Sequence, residues 1–227
     1  MITDRPSREP TLPIHASSRR HGLTVAIVAG ATLGAPAVSA AQVTVSARLG
    51  LVASTALLED SIVEAISLRP NPAPSVGIAI DTRLDPHYAV GAGIAVSRSD
   101  LRSRAASGDA SVTTLTLWQP SIFLRYGANP WLGLEARAGA LIYDPSTTVG
   151  NLFSGGAPVA PSLGLTASAE RPLGGRLRAG LALQYDVHRF TTSTLENRGY
   201  SGSTVVHRIG VAVTLRHQMT HARSPAR

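Results

Sequence analysis

The chain has 227 residues, of which 44% are hydrophobic and 15% charged, so it is long enough to bury a core and has the composition of a folded protein. Its formal net charge is +7, but the basic residues are spread singly along the chain without a clustered stripe, which argues against a nucleic-acid partner. The absence of cysteine excludes disulfides, thiolate metal sites and thiol catalysis.

The N-terminal region has the order of parts found in a secretory signal. Arg19 and Arg20 precede an apolar stretch at 23–33, and small residues follow at 38–40. The apolar stretch is only about half of the 20 or so residues that a spanning helix needs, which favours cleavage over anchoring. We therefore expect a signal peptide with a polar extension at 1–40, one folded domain at 41–217 and a short C-terminal tail at 218–227.

Within the folded domain, apolar residues recur at every second position, which is typical of strands with two chemically different faces. In 87–97, for example, Tyr88, Val90 and Ile94 share one face, while Gly91, Gly93 and other small or polar residues share the opposite one. The pattern predicts eight strands, at 42–53, 75–84, 87–97, 111–126, 130–143, 160–170, 176–188 and 205–216.

The connections between these strands alternate in length. Short connections rich in turn-forming residues lie at 85–86, 127–129 and 171–175, and long ones lie at 54–73, 98–110, 144–159 and 189–202. This alternation predicts an all-β, eight-stranded antiparallel up-and-down barrel that spans the outer membrane, with short periplasmic turns and long external loops. Closing the sheet also satisfies the backbone hydrogen bonds that lipid cannot accept.

The two faces of the predicted strands differ in side-chain size as well as polarity. One face is apolar, and the other is rich in Gly, Ala, Ser and Thr, as the narrow interior of an eight-stranded barrel requires. We therefore predict an apolar face toward outer-membrane lipid and a polar, filled lumen. Its charges are Arg48, Asp81, Arg83, Arg125, Glu135, Arg137, Glu170, Arg178, Asp186 and Arg208. A soluble, lipocalin-like periplasmic carrier is the alternative, since it could encode the same alternation with the apolar face inside.

The last predicted strand carries the most specific motif. It consists of a polar residue, a glycine and two hydrophobic residues at fixed spacing, here Arg208, Gly210, Val213 and Leu215. With this segment, residues 42–216 resemble the small eight-stranded outer-membrane proteins of the OmpA-like and OmpX-like group. The resemblance implies insertion by the barrel-assembly machinery.

Three local features carry further predictions. Pro120 cannot donate a ladder hydrogen bond, and the apolar parity changes around it, so we expect a β-bulge at 119–120. Leu58, Ile62 and Ile66 in the first long connection permit either a short amphipathic helix or an extension of the first two strands. Tyr88 and Tyr126 near the turns, with Tyr185 near the loop end, suggest a sparse aromatic belt.

No residue pattern in the chain specifies catalysis, a cofactor or a metal. We expect a monomeric structural or surface-interaction protein that acts through its long external loops, whose ligand the sequence does not name. One alternative is a lipid-modifying enzyme similar to lipid A deacylases, with His188, Ser193 and Glu196 as the candidate triad. The deacylases place a histidine two residues before the serine, whereas Phe190 occupies the corresponding position after His188.

Overall fold

The computed structural model describes residues 42–60, 66–105, 108–147, 153, 158–192 and 204–219, so the predicted signal peptide and nearly all of the predicted tail lie outside the described residues. No helix in these ranges is long and apolar enough to cross a membrane. The strands are β1 (Val43–Ser54), β2 (Leu58–Asp60), β3 (Ile66–Pro70), β4 (Ala73–Arg83), β5 (Tyr88–Ala105), β6 (Gly108–Asn129), β7 (Leu132–Pro145), β8 (Val159–Gly174), β9 (Leu177–Phe190) and β10 (Thr204–Met219).

Eight of these strands form a closed antiparallel ring in the order β1, β4, β5, β6, β7, β8, β9 and β10. The first and last strands close it, in a register that runs from Val43 opposite Met219 to Ser54 opposite Arg208. Each ring strand is therefore paired on both sides, as lipid requires. The predicted eight-stranded barrel is confirmed, and each predicted strand corresponds to one strand of the ring.

The described parts of the first long connection, before residue 61 and from residue 66, contain strands and no helix. In it, β2 pairs with β3, and β3 pairs with the end of β5. Leu58 and Ile66 both lie in these strands, and Ile62 is outside the described residues. The strand alternative is therefore correct, and the sheet continues past the ring at the end that carries the long connections. We call this the long-loop end, and the opposite end the turn end.

The outer surface of the ring is apolar. In β8 and β10 exposed and buried residues alternate over most of their length, and Leu181 on β9 is 63% exposed. Residues on the apolar face of the predicted strands are exposed, among them Leu134, Ala138, Leu181, Leu183, Ile209 and Val211. Because a water-soluble barrel would bury such residues in its interior, this surface contradicts the soluble-carrier alternative.

Exposed aromatic residues mark two levels on the apolar surface. Tyr88, Tyr126 and Trp131 are exposed at the turn end, with the two tyrosine rings 5.2 Å apart. Trp118 and Tyr185 are exposed toward the long-loop end. A strand segment from Tyr126 to Trp118, tilted by roughly 40°, spans about 20 Å along the barrel axis. The two levels therefore bracket an apolar band of the height that a membrane barrel needs.

The bulge predicted at 119–120 is wrong. The β6–β7 register is the same before and after these positions, since Trp118 lies opposite Ile142 and Ser121 opposite Gly139. Gln119 and Pro120 lack paired residues on β7, but this gap does not shift the register. The described register shifts of β6 lie near each of its ends. The apparent change of parity has another cause: Leu115 and Leu117 face inward, because the interior itself is apolar at that level.

Candidate functional site

Nine of the ten predicted lumen charges point into the barrel, where their side chains are buried or half-buried. The exception is Arg83, which is exposed at the turn end and donates to the Gln42 side chain and to the carbonyl of Pro86. Inward positions hold these charges because every second residue of a strand faces the same side. The interior charges are arranged at successive levels along the barrel axis.

The middle layer consists of Arg48, Glu135, Arg137 and Asp186. Arg48 on β1 donates two hydrogen bonds to the carboxylate of Glu135 on β7, at 3.1 and 2.6 Å. These strands lie on opposite sides of the ring, so the pair spans the lumen. Arg137 donates to Asp186 at 2.9 Å, and its Nε lies 3.9 Å from Glu135. Neither pair joins adjacent strands, because the lumen is so narrow that side chains reach across it.

The turn-end layer consists of Asp81, Arg125, Glu170, Arg178 and Arg216. The Glu170 carboxylate contacts three guanidinium groups, at 2.6 Å from Arg125, 3.5 Å from Arg178 and 3.6 Å from Arg216. Arg216 also donates to Asp81 at 2.8 and 3.1 Å. Arg216 was not among the predicted lumen charges, although it has the same parity as Arg208 on β10. Beyond this layer, a cavity of about 370 Å³ forms the mouth of the barrel.

A third polar level lies on the long-loop side of the middle layer. Arg208 on β10 reaches across the ring to Gln119 on β6, at 3.3 Å, and also donates to Ser97 at 3.2 Å. The cavity between this level and the middle layer has a volume of about 40 Å³, which is enough for about one water molecule. The polar part of the lumen is therefore filled by side chains.

At the long-loop end the interior becomes apolar. A cluster of buried side chains closes the barrel here, and we call it the outer plug: Leu57, Leu68, Leu101, Leu115, Leu117, Leu141, Tyr143, Phe153, Ala160, Phe190 and Val206. The rings of Tyr143 and Phe190 are 5.0 Å apart, and those of Phe153 and Phe190 are 6.3 Å apart. Much of the outer plug comes from the extended ends of the strands and from the β2–β3 segment, so strand patterns alone did not predict it.

His188 belongs to the interior rather than to the lipid face. Its ring is buried beside the outer plug, and its Nε2 shares a short hydrogen bond with the Tyr143 hydroxyl. Ser193 and Glu196, the other members of the candidate triad, lie outside the described residues. A histidine in this position does not face the acyl chains of membrane lipid. No group of residues in the described ranges has the donors to hold a metal ion.

The motif of the last strand divides between the two faces of β10. Arg208 and Gly210 face the lumen, whereas Val213 and Leu215 are exposed on the lipid side. The strand continues to Met219 and pairs with both β1 and β9. The two hydrophobic residues of the motif are therefore accessible from the membrane.

Solved structures of bacterial outer-membrane proteins have the same fold. Neisserial surface protein A is 12% identical, with a TM-score of 0.52 over 78% of this chain and 97% of its own. OprG from Pseudomonas aeruginosa is 11% identical, with a TM-score of 0.50 over 81% and 97%. AlkL, solved in lipid bilayers, is 11% identical, with a TM-score of 0.52 over 100% of both chains. No family model and no curated protein matches the sequence.

Proposed function

We propose that this eight-stranded outer-membrane β-barrel is a sealed envelope protein that acts through its outer surface and not as a conduit or an enzyme. The observation that carries the proposal is that the interior is closed at each level formed by the described residues. Ion pairs fill the turn-end and middle layers, and the outer plug closes the long-loop end. A solute would have to break both kinds of packing to pass.

The cost of opening such a lumen supports this proposal. Glu135, Glu170 and Asp186 are each at most 5% exposed, and each of them contacts at least one arginine. Removing one partner of a buried ion pair typically costs about 3–5 kcal/mol, because an uncompensated charge remains. Several such pairs lie along the axis, so opening the lumen would require several of them to separate. The closed interior therefore favours a role at the surface.

The surface available for that role lies at the long-loop end. There β5 and β6 continue beyond the aromatic level of Trp118, and β3 pairs with β5 on the other side. We propose that this end faces the outside of the cell and that the three short turns face the periplasm. Since the ring exposes no strand edge, we also propose a monomer, inserted by the barrel-assembly machinery through the lipid-facing Val213 and Leu215 of β10.

Conductance in planar bilayers tests the proposal. The full-length mature protein is reconstituted beside a general porin that serves as the positive control for incorporation. We expect no stable conductance from the protein in conditions under which the porin gives discrete steps. Reproducible large steps from the protein would show an open lumen and would contradict the proposal.

A further inference from the structure

A patch of arginines lies on the outer face of the sheet where β5 leaves the membrane band. The outward residues of β5 are apolar up to Ile94 and Val96, and the next four in the same parity are Arg98, Asp100, Arg102 and Arg104. Arg69 on β3 lies directly opposite Arg102 and faces the same side. We call Arg69, Arg98, Arg102 and Arg104 the arginine patch.

The charges of this patch are only partly balanced. Arg104 pairs with Asp109 at 3.1 Å, and the Asp100 carboxylate accepts a hydrogen bond from the Thr114 hydroxyl. Among the described residues, Arg69 donates a hydrogen bond to the backbone carbonyl of Ser54. In the described ranges no carboxylate oxygen lies within 4.0 Å of Arg69, Arg98 or Arg102. The charge of Asp109 also acts on Arg102, but within the described residues none of these three guanidinium groups forms an ion pair.

The pairing of Arg69 with Arg102 is unfavourable unless an anion joins them. Like charges directly opposite on adjacent antiparallel strands destabilise a sheet. An open cavity of about 330 Å³ is lined by Arg69, Arg102 and Arg104, with Asp109 as the one carboxylate among its described lining residues, and it has room for an anionic group between the strands. Arginine binds phosphate through two parallel hydrogen bonds, so two facing guanidinium groups suit a phosphate well.

The height of the patch matches the headgroup region of the membrane. Arg98 lies opposite Thr116, two residues beyond the exposed Trp118 on β6. Directly below Arg98 the surface is apolar, with Val76 and Ile94 each at least 41% exposed. Arg102 lies about 13 Å farther along the strand. A ligand here would therefore meet apolar surface on one side and arginines on the other.

We infer that the cross-strand pair Arg69 and Arg102, together with Arg98 above an apolar strip, binds the phosphorylated headgroup of a glycolipid of the outer leaflet. The acyl chains of this lipid lie along Val76 and Ile94, and its phosphates accept hydrogen bonds from the guanidinium groups. Lipid A has this chemistry. The inference rests on the proposed outward orientation of the long-loop end. A soluble anion would contact the arginines alone, and competition with inorganic phosphate distinguishes it from the lipid.

The test is retention of lipid A by the full-length protein in phosphatidylcholine nanodiscs, measured by native mass spectrometry. Dephosphorylated lipid A with the same acyl chains is the lipid control. The variants are R69Q and R102Q, and the matched control is R189Q. Arg189 is also exposed and outward-facing near the long-loop end, but on β9, on the opposite side of the ring. Gel mobility before and after heating shows that each variant is folded.

We expect the parent and R189Q to retain lipid A. Each patch substitution should weaken the binding of lipid A about fivefold, as expected for the loss of one basic contact at an anionic membrane surface. Equal retention by R102Q and R189Q, or equal retention of dephosphorylated lipid, would overturn the inference. Displacement of lipid A by inorganic phosphate at matched concentration would also overturn it, since it would show a free anion site. Conductance of the same samples reports separately on the sealed lumen.

Discussion

Glu135 offers the sharpest test of the ion pairs that fill the lumen. Its side chain is 5% exposed and accepts both hydrogen bonds from Arg48 across the barrel. In E135Q the charge that compensates Arg48 is gone, although the amide oxygen still accepts one hydrogen bond. Breaking a buried pair costs about 3–5 kcal/mol. Because Arg48 remains 16% exposed, we expect the lower end of that range, about 3 kcal/mol.

The assay is urea unfolding in lipid vesicles, followed in both directions by the gel mobility of folded and unfolded protein. D109N is the matched control, because Asp109 pairs with Arg104 in an exposed bridge whose arginine side chain is 78% exposed. We expect this control to unfold at nearly the same urea concentration as the parent. The double variant R48Q/E135Q should lose less stability than the two single losses added together, because the two residues interact directly. A loss in E135Q no larger than that in D109N would refute the reasoning.

Three further predictions concern the lipid face, the tight packing of the wall and a turn. L181R should lose on the order of 2–4 kcal/mol of unfolding free energy in bilayers, and Y185R less, because Leu181 lies nearer the bilayer midplane; equal losses would contradict this. G50A should fail to fold, because its Cβ would overlap the Val211 carbonyl oxygen. G127A should fold, because its Cβ would lie 3.7 Å from the nearest atom, the His87 carbonyl oxygen. The pKa of Asp85 should lie below its ordinary value, because its carboxylate accepts hydrogen bonds from the backbone N–H groups of His87 and Tyr88. Its stabilising contribution is then present above the ordinary pKa and is lost as the pH falls through the lowered one; NMR titration checks the value, with D85N as the control.

The fold was predictable because alternate residues of each strand in a membrane barrel face lipid and lumen, and therefore differ in polarity and size. Leu181 and Leu183 on one face, with Asp186 on the other, already specify which side meets lipid. Alternation of short and long connections then orders the strands without any information about contacts between them. The positions of the inward charges followed from the same parity.

The partners of those charges and the closure of the long-loop end were not predictable in this way. Parity places Arg48 and Glu135 inside, but only the ring geometry shows that β1 and β7 face each other across the lumen. Leu115 and Leu117 suggested a bulge, because nothing in the strand pattern indicates that the interior becomes apolar at their level. The arginine patch was also missed, since Arg69 and Arg102 become neighbours only when β3 pairs with β5.

The orientation of the barrel in the cell is the point on which both the surface role and the lipid site depend. Because the chain contains no cysteine, single cysteines can be labelled cleanly on intact cells with an impermeant maleimide. Ala110 is exposed near the start of β6 at the long-loop end, and Arg176 is exposed in the turn between β8 and β9 at the turn end. We predict labelling of A110C on intact cells and of R176C only after the outer membrane is permeabilised. Labelling of R176C but not of A110C on intact cells would contradict the account.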